Sequence, residues 1–518
     1  MRKIGLIAVL IALAGLAWYF IAGATTTTDI SASTPKDDNE QELIVVTPWE
    51  LTSIDPSKSG FIFQRLQLAE TLVDTAQNAD LQPMLAQSWS ANDKGDVWTF
   101  VLRDGVKFHD GSSLTADDVV KSLDVALTKP TALKSALISQ IKAIDSQTVE
   151  ITLEKPLMSL PAYLAHATSI ILAKSSFDDN NEVKELIGTG PYYATKIEPP
   201  QKIEQKAFAD YWGEKAKIQD VTYLANSRSE TRTLLAQSKP NYLVFTLDSA
   251  SLSRLQQDPN LQVKSKSLAR TIQYKVDAKN PLFNDVNVRQ ALSDAIDRQA
   301  IAQSVMRADN AVAEQILPPV FKDWQIKAAT QAPDPQAIKQ RLLGLGFTED
   351  ANGMLQKDGK PFKFVLRTFS DRPELPIIAT ALQAQWKKIG VDADVSVGNF
   401  SDIAAGHQDG TLEMALYARN YGMTPDPVGS LIEDFDPKGS DWGVMNWQNA
   451  ELTEDLLKLE TTKDSDIATR QRVSEIIFKE RPIVPVVYYQ QNAAAHKSLK
   501  GLEIDGLERN FYLNKLSW

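Results

Sequence analysis

The sequence predicts a multidomain α/β protein, and three observations carry that expectation. A chain of 518 residues with 43% hydrophobic content is long enough to bury several cores. From Arg289 to Val397 amphipathic helical patterns alternate with apolar strand patterns, the signature of helices packed on a sheet. The segment Trp98–Lys121, WTFVLRDGVKFHDGSSLTADDVVK, reads as two short strands, a turn and the start of a helix.

The elements follow in order. Residues 25–41, TTTTDISASTPKDDNEQ, are polar and aperiodic and read as a disordered tether. Leu43–Thr47 is a short apolar strand, and Ser57–Val73 has a helical pattern. In the Trp98 segment, Trp98, Phe100 and Leu102 alternate as in a half-buried strand. Asp104-Gly105 and Asp110-Gly111 are turn dipeptides that accept a positive φ. Thr115 with Asp118 three residues on is a helix N-cap pattern. Asp145–Leu153 is a strand with Val149, Ile151 and Leu153 on one face. Residues 157–172 read as a helix that ends in a strand, and Lys202–Phe208 and Val221–Leu224 as strands. The chain crosses into a second lobe near residue 265. Beyond it, Arg289–Arg307 is an amphipathic helix, and Pro335–Leu345 a second that ends at Gly346. A hairpin-like turn at Gly353–Gly359 leads into a strand at Phe362–Phe369. Helix Leu375–Ile389 is closed by Gly390, and strand Val391–Val397 follows. Pro482–Tyr489, PIVPVVYY, is an apolar strand that returns the chain toward the first lobe.

Composition narrows the function. The net charge of −11 argues against nucleic acid as a partner, because phosphate binding needs a basic face. The absence of cysteine excludes disulfides, thiolate metal sites, cysteine nucleophiles and a lipoprotein anchor. Met1-Arg2-Lys3 precedes twenty uncharged residues, GLIAVLIALAGLAWYFIAGA, ending in the small residues Ala22-Gly23-Ala24. Two outcomes compete for residues 1–24: a cleaved signal peptide that releases the protein into the periplasm, or a signal-anchor that holds it on the outer face of the inner membrane. The four histidines, His109, His166, His407 and His496, have no metal-ligand spacing, so no metal site and no cofactor are expected. GxSxG, P-loop, HExxH and GxGxxG motifs are absent. The adjacent pairs Asp117-Asp118 and Asp178-Asp179 read as solvated turn or helix-start charges, and no enzyme is expected.

The Trp98–Lys121 segment resembles the signature of the family-5 extracytoplasmic solute-binding proteins of ABC importers, which take peptides, nickel and related solutes. VRQALSDAIDRQAIAQSV at Val288–Val305 with Leu317-Pro318-Pro319 agrees, as do IGTGPY at Ile187–Tyr192, Tyr211-Trp212-Gly213, Ile389-Gly390-Val391 and Asp426-Pro427, all in family order. The resemblance covers roughly residues 42–515 and implies a bilobed α/β fold with two α/β lobes around a cleft. It implies a first lobe at 42–265, with an extra α+β subdomain inserted at about 75–185, a second lobe at 266–488 and a return to the first lobe at 489–518. It implies a monomer that captures a small solute, a short peptide or peptide-like molecule, by lobe closure and delivers it to a membrane permease. A metal chelate or an opine-like acid is the alternative solute, and a membrane-tethered sensor the alternative role.

The same resemblance points to Leu416–Gly429, LYARNYGMTPDPVG, as cleft-lining. Peptide-binding members carry an acidic residue about three positions before the Asp-Pro pair, where it meets the peptide ammonium. Met423 stands there, so that anchor is missing or supplied elsewhere. Arg419 and Asn420 are neighbours, with Tyr421 in place of a tryptophan of the nickel subgroup. Arg419 either forks onto a ligand carboxylate or pairs with a nearby acid and braces the loop. The arginine that the nickel subgroup carries in the segment corresponding to residues 161–173 has no counterpart here. Trp442 and Trp447 either wall the cleft or pack in the second lobe. Trp49 after the first strand, Gln64 on the first helix and Arg270 after the crossover complete the ligand-binding candidates.

Overall fold

Two long antiparallel strands, Leu261–Val276 and Ile483–His496, tie the molecule together. A computed structural model describes residues 42–328, 332–370, 372–436, 440–462 and 466–518. The expected leader at 1–24 and tether at 25–41 lie outside the described residues.

The two long strands sit in the middle of a ten-stranded sheet. On one side of them run Met414–Asn420, Lys363–Phe369 and Asp392–Gly398. On the other run Tyr242–Phe245, Leu43–Thr47, Asp220–Ala225, Lys202–Ala207 and Tyr192–Glu198. Residues 261–267 pair with 490–496, and residues 271–275 with 483–488; between them the register slips. A bulge bends a strand and re-aims its side chains. Here it separates two cores. Leu43, Val45, Phe63, Tyr223, Phe245 and Phe511 pack on the first side. Ile272, Tyr274, Leu366, Leu382, Trp386 and Val487 pack on the second. The molecule is therefore bilobed, and the covalent link between the lobes is a pair of strands with a slip at their centre.

A four-stranded sheet ordered Ala86–Ala91, Val97–Leu102, Thr148–Leu153, Ile138–Ala143 forms a third core with helix Ala116–Thr128. Strand Thr148–Leu153 alternates as expected, with Val149, Ile151 and Leu153 buried. Thr115 and Asp118 form a complete capping box, with the Asp118 carboxylate accepting from the Thr115 N–H at 3.0 Å; such a cap is worth about 1 kcal/mol. Gly105 and Gly111 have the positive φ expected of their turns. The second short strand expected in this segment is only the bridge Lys107–Ser113. IGTGPY has a steric reason: a Cβ at Gly188 or Gly190 would collide with the carbonyl oxygens of Leu68 or Gln67. Those oxygens are close because the expected helix Ser57–Val73 actually runs Pro56–Arg65 and stops. Gln67 then turns left-handed at φ 57°, and Val73–Thr75 is a strand.

Two other expectations are corrected. Residues 157–172 contain only the one-turn helix Leu160–Tyr163 and the 3-10 turn Ala167–Ser169. The Tyr163 carbonyl is taken by the Ser169 hydroxyl, and the Ala165 carbonyl by Arg509 from the far end of the chain. The helix expected at Arg289–Arg307 breaks into Val286–Asp294, Arg298–Ile301 and a wider turn at Ala302–Met306. The Asp297 side chain accepts from Ala300 N–H at 2.9 Å and starts a new helix. Buried Arg298 straddles the break, donating to Ser293 and Pro485 carbonyls.

Candidate functional site: an arginine cluster between the lobes

A cluster of charged side chains is built where the bulge, the first helix and the chain's return segment meet. Asp505 folds the return segment into a tight turn, its two carboxylate oxygens accepting from Leu507 N–H at 3.0 Å and Arg509 N–H at 2.9 Å. Glu508 sits in that turn with a left-handed backbone, φ 61°. Such a conformation costs a non-glycine residue free energy and persists where the surroundings enforce it. What enforces it is a set of donors. The Arg270 guanidinium reaches Glu508 Oε2 at 2.8 Å and the Asn420 amide reaches the same oxygen at 3.2 Å. Arg65 lies 3.8 Å from the other oxygen and donates to the Glu508 carbonyl at 2.6 Å. Arg270 and Asn420 are direct cross-strand partners at the bulge, while Arg65 is the last residue of the first helix. One carboxylate thus gathers side chains from both sides of the slip.

Aromatic rings pack against the same guanidinium groups. Arg65 lies over the Trp49 ring at 4.3 Å and the Phe61 ring at 5.3 Å. Arg270 and Arg372 lie over the Tyr489 ring at 5.5 and 5.1 Å. Burial alone would raise the Glu508 carboxyl, yet the charges of Arg270, Arg65 and Arg372 outweigh it and hold Glu508 below the usual carboxylate range. Burial, then the Glu374 charge, pushes the Tyr489 hydroxyl up to about 12, so Tyr489 stays neutral. The guanidinium groups of Arg65, Arg270 and Arg372 therefore all act on the single Glu508 carboxylate. Guanidinium groups are fixed forks of hydrogen-bond donors whose geometry matches a carboxylate.

The candidate residues divide. Trp49, Arg270 and Asn420 come together in this cluster, and Gln64 is half-buried on the helix that carries Arg65. Arg419 lies apart from them. It forks onto Asp434 at 2.9 and 2.8 Å and reaches Glu433 at 3.0 Å. Burial pushes Asp434 up to about 6, against the pull of Arg419. Tyr421 is fully buried, its hydroxyl bonded to the Gln273 side chain. The Trp442 ring stacks on Phe400 at 4.7 Å, and Trp447 packs against Phe435 with its N–H on Glu480 at 2.8 Å. Met423 is 54% exposed. The sequence reading missed Glu508, Arg372, Glu374 and Tyr489. The only signal available was the charged residues of SDRPE and LERN, neither of which stands at a motif. No group of three or more His, Asp or Glu side chains among the described residues is placed to hold a metal ion.

The lobes also touch away from this cluster. The Met158 N–H donates to the Glu460 carbonyl at 2.7 Å, reaching from the inserted subdomain to the end of helix Ala450–Thr461.

The chain is similar to known solute-binding proteins. It is 24% identical to a dipeptide-binding protein of Escherichia coli K12 over 99% of this chain and 98% of the relative. A nickel-binding periplasmic protein of the same organism is 25% identical over 74% and 75% of the two chains. The fold matches NikA from Brucella suis in complex with Fe(III)-EDTA with a TM-score of 0.84 at 20% identity, covering 92% of this chain and 99% of that one. The family profile for bacterial extracellular solute-binding proteins, family 5, matches residues 80–442. That is well over half of its length, and the chain belongs to this family.

Proposed function

We propose that the protein is the extracytoplasmic solute-binding component of an ABC importer, and that it captures a small carboxylate-bearing solute, a short peptide or peptide-like molecule, by lobe closure. The observation that carries this reading is the surplus of guanidinium groups around Glu508, drawn from both sides of the strand slip. An empty cleft brings three guanidinium groups against the one Glu508 carboxylate as it closes. A solute carboxylate cancels the surplus, binds the closed form better than the open one, and so shifts the population toward closure. The aromatic walls of Trp49, Phe61 and Tyr489 add apolar contact to the charged end.

In this reading the first lobe spans 42–265 with its insertion at about 75–185, the second lobe 266–488, and the return 489–518. The closed form docks on a permease as a monomer, outside the cytoplasm, with residues 1–24 as leader or anchor. Among the described residues no helix is long and apolar enough to cross a membrane. A carboxylate-armed metal chelate is the second reading, because its arms would meet the same arginines and because relatives are named for nickel.

Solution scattering with and without solute tests capture by closure. The expected result is a smaller radius of gyration together with a higher melting temperature. A tight solute that leaves the scattering curve unchanged would contradict the reading.

A further inference from the structure

The charged groups around Tyr489 carry more than an anion site. We propose that Glu374 is an ammonium-binding group, so that the captured solute is a zwitterion whose carboxylate meets Arg270 and Arg372 and whose ammonium meets Glu374 across the Tyr489 ring.

This rests on the capture reading above and adds the solute's second charge. The two cleft carboxylates differ in what they have left to offer. Glu508 accepts from Arg270 and Asn420, with Arg65 alongside. Glu374 Oε1 is buried and has no hydrogen-bond partner. On the donor side, Arg270 Nε is likewise buried without a partner, although its guanidinium is otherwise engaged. Buried polar groups are almost always satisfied, and an orphan calls for an explanation. Here one orphan is an acceptor and the other a donor, and both belong to charged residues. Arg270 lies 5.5 Å from the Tyr489 ring, and Arg372, two residues before Glu374, lies 5.1 Å from it. A zwitterion satisfies both at once. A simple anion satisfies only Arg270 and leaves Glu374 an uncompensated buried acceptor, which is costly.

Two further observations agree. Arg372 and Glu374 flank Pro373 at the start of helix Glu374–Lys387, so one short stretch offers opposite charges to the two ends of a small solute. The position at which the family resemblance places an ammonium anchor is Met423, apolar and exposed, so an ammonium has to be met from another element.

Calorimetry on the full chain tests this with four probes: a pooled set of free dipeptides, the same pool N-acetylated, the same pool C-amidated, and iron(III)–EDTA. The expected result is binding of the free pool, with at least a tenfold loss on N-acetylation in the wild type and no such loss in Glu374→Gln. Equal binding of free and acetylated pools by the wild type overturns the ammonium site and leaves the capture reading standing. So does binding of iron(III)–EDTA alone. Equal binding of amidated and free pools contradicts the carboxylate half. Binding of none of the four contradicts both readings. The comparison of pools on the wild type decides the matter even if Glu374→Gln folds poorly.

Discussion

Two buried carboxylates, Glu70 and Glu508, sit in different parts of the molecule and are held in opposite ways. Glu70 lies where the inserted subdomain joins the first lobe. It accepts from the Tyr211 hydroxyl at 2.7 Å, the Trp212 N–H at 3.0 Å and the Thr189 hydroxyl at 2.7 Å. All three donors are neutral, so burial dominates and pushes Glu70 up to about 7. Glu508 is just as buried but is held by guanidinium groups, and its carboxyl goes down. Both are satisfied, so satisfaction does not tell a joint from a site. The balance of charge does. Glu70 ends neutral or singly negative among neutral partners, which locks Tyr211-Trp212-Gly213 and IGTGPY together. Glu508 ends among three guanidinium groups, the arrangement on which the proposed anion site rests. Arg419 with Asp434 is a third case, a pair that closes on itself.

The largest effect expected follows from removing the charge that organises the cleft. Glu508→Gln leaves Arg65 and Arg270 without their shared counter-ion and should cost about 3–5 kcal/mol, as for a broken buried pair. Urea unfolding measures it, and a loss under 1 kcal/mol would mean that water already screens the cluster. Arg419→Ala strands Asp434 and should cost about 3 kcal/mol of stability while leaving solute affinity within twofold. Unfolding and calorimetry on one preparation separate the two, and a selective loss of affinity would make Arg419 a ligand contact. Glu70 gives a smaller, pH-dependent effect. Its folded carboxyl is raised from the ordinary 4.5 to about 7. The native state therefore holds a proton that the unfolded chain has released. Its contribution to stability is complete below about pH 4.5 and is lost as pH rises to 7, with a slope of up to about 1.4 kcal/mol per pH unit. Glu70→Gln should flatten that slope in urea midpoints taken across the range. An unchanged slope would place the proton elsewhere.

Much of the fold was legible because its signals are local. The capping box at Thr115 and Asp118, the positive φ of Gly105 and Gly111, and the alternation of Thr148–Leu153 depend only on near neighbours. The helix breaks at Gln67 and Asp297 were not legible, because distant groups stabilise them: Gly190 packs on Gln67, and Arg298 spans from Ser293 to Pro485. The site divided the same way. Trp49, Asn420 and Arg270 were reachable from family order, and they meet. Glu508 was not, since its partners Arg65 and Arg270 lie 443 and 238 residues away in sequence and its turn carries no periodicity. Arg419 drew attention through its neighbourhood in sequence, but nothing in the sequence shows that Asp434 already occupies it.

The central claim is that the cleft arginines are there for a solute carboxylate. Calorimetry of Arg270→Gln against wild type, with the free and C-amidated dipeptide pools, tests it most directly. In wild type, amidation should weaken binding by about 1.5–3 kcal/mol, the range for hydrogen bonds to charged groups. In Arg270→Gln, binding of the free pool should already be weaker by a similar amount, and amidation should cost little more, because both changes remove the same interaction. If Arg270→Gln binds the free pool as tightly as wild type, and still distinguishes it from the amidated pool, the arginine cluster only holds the lobes together and the account fails.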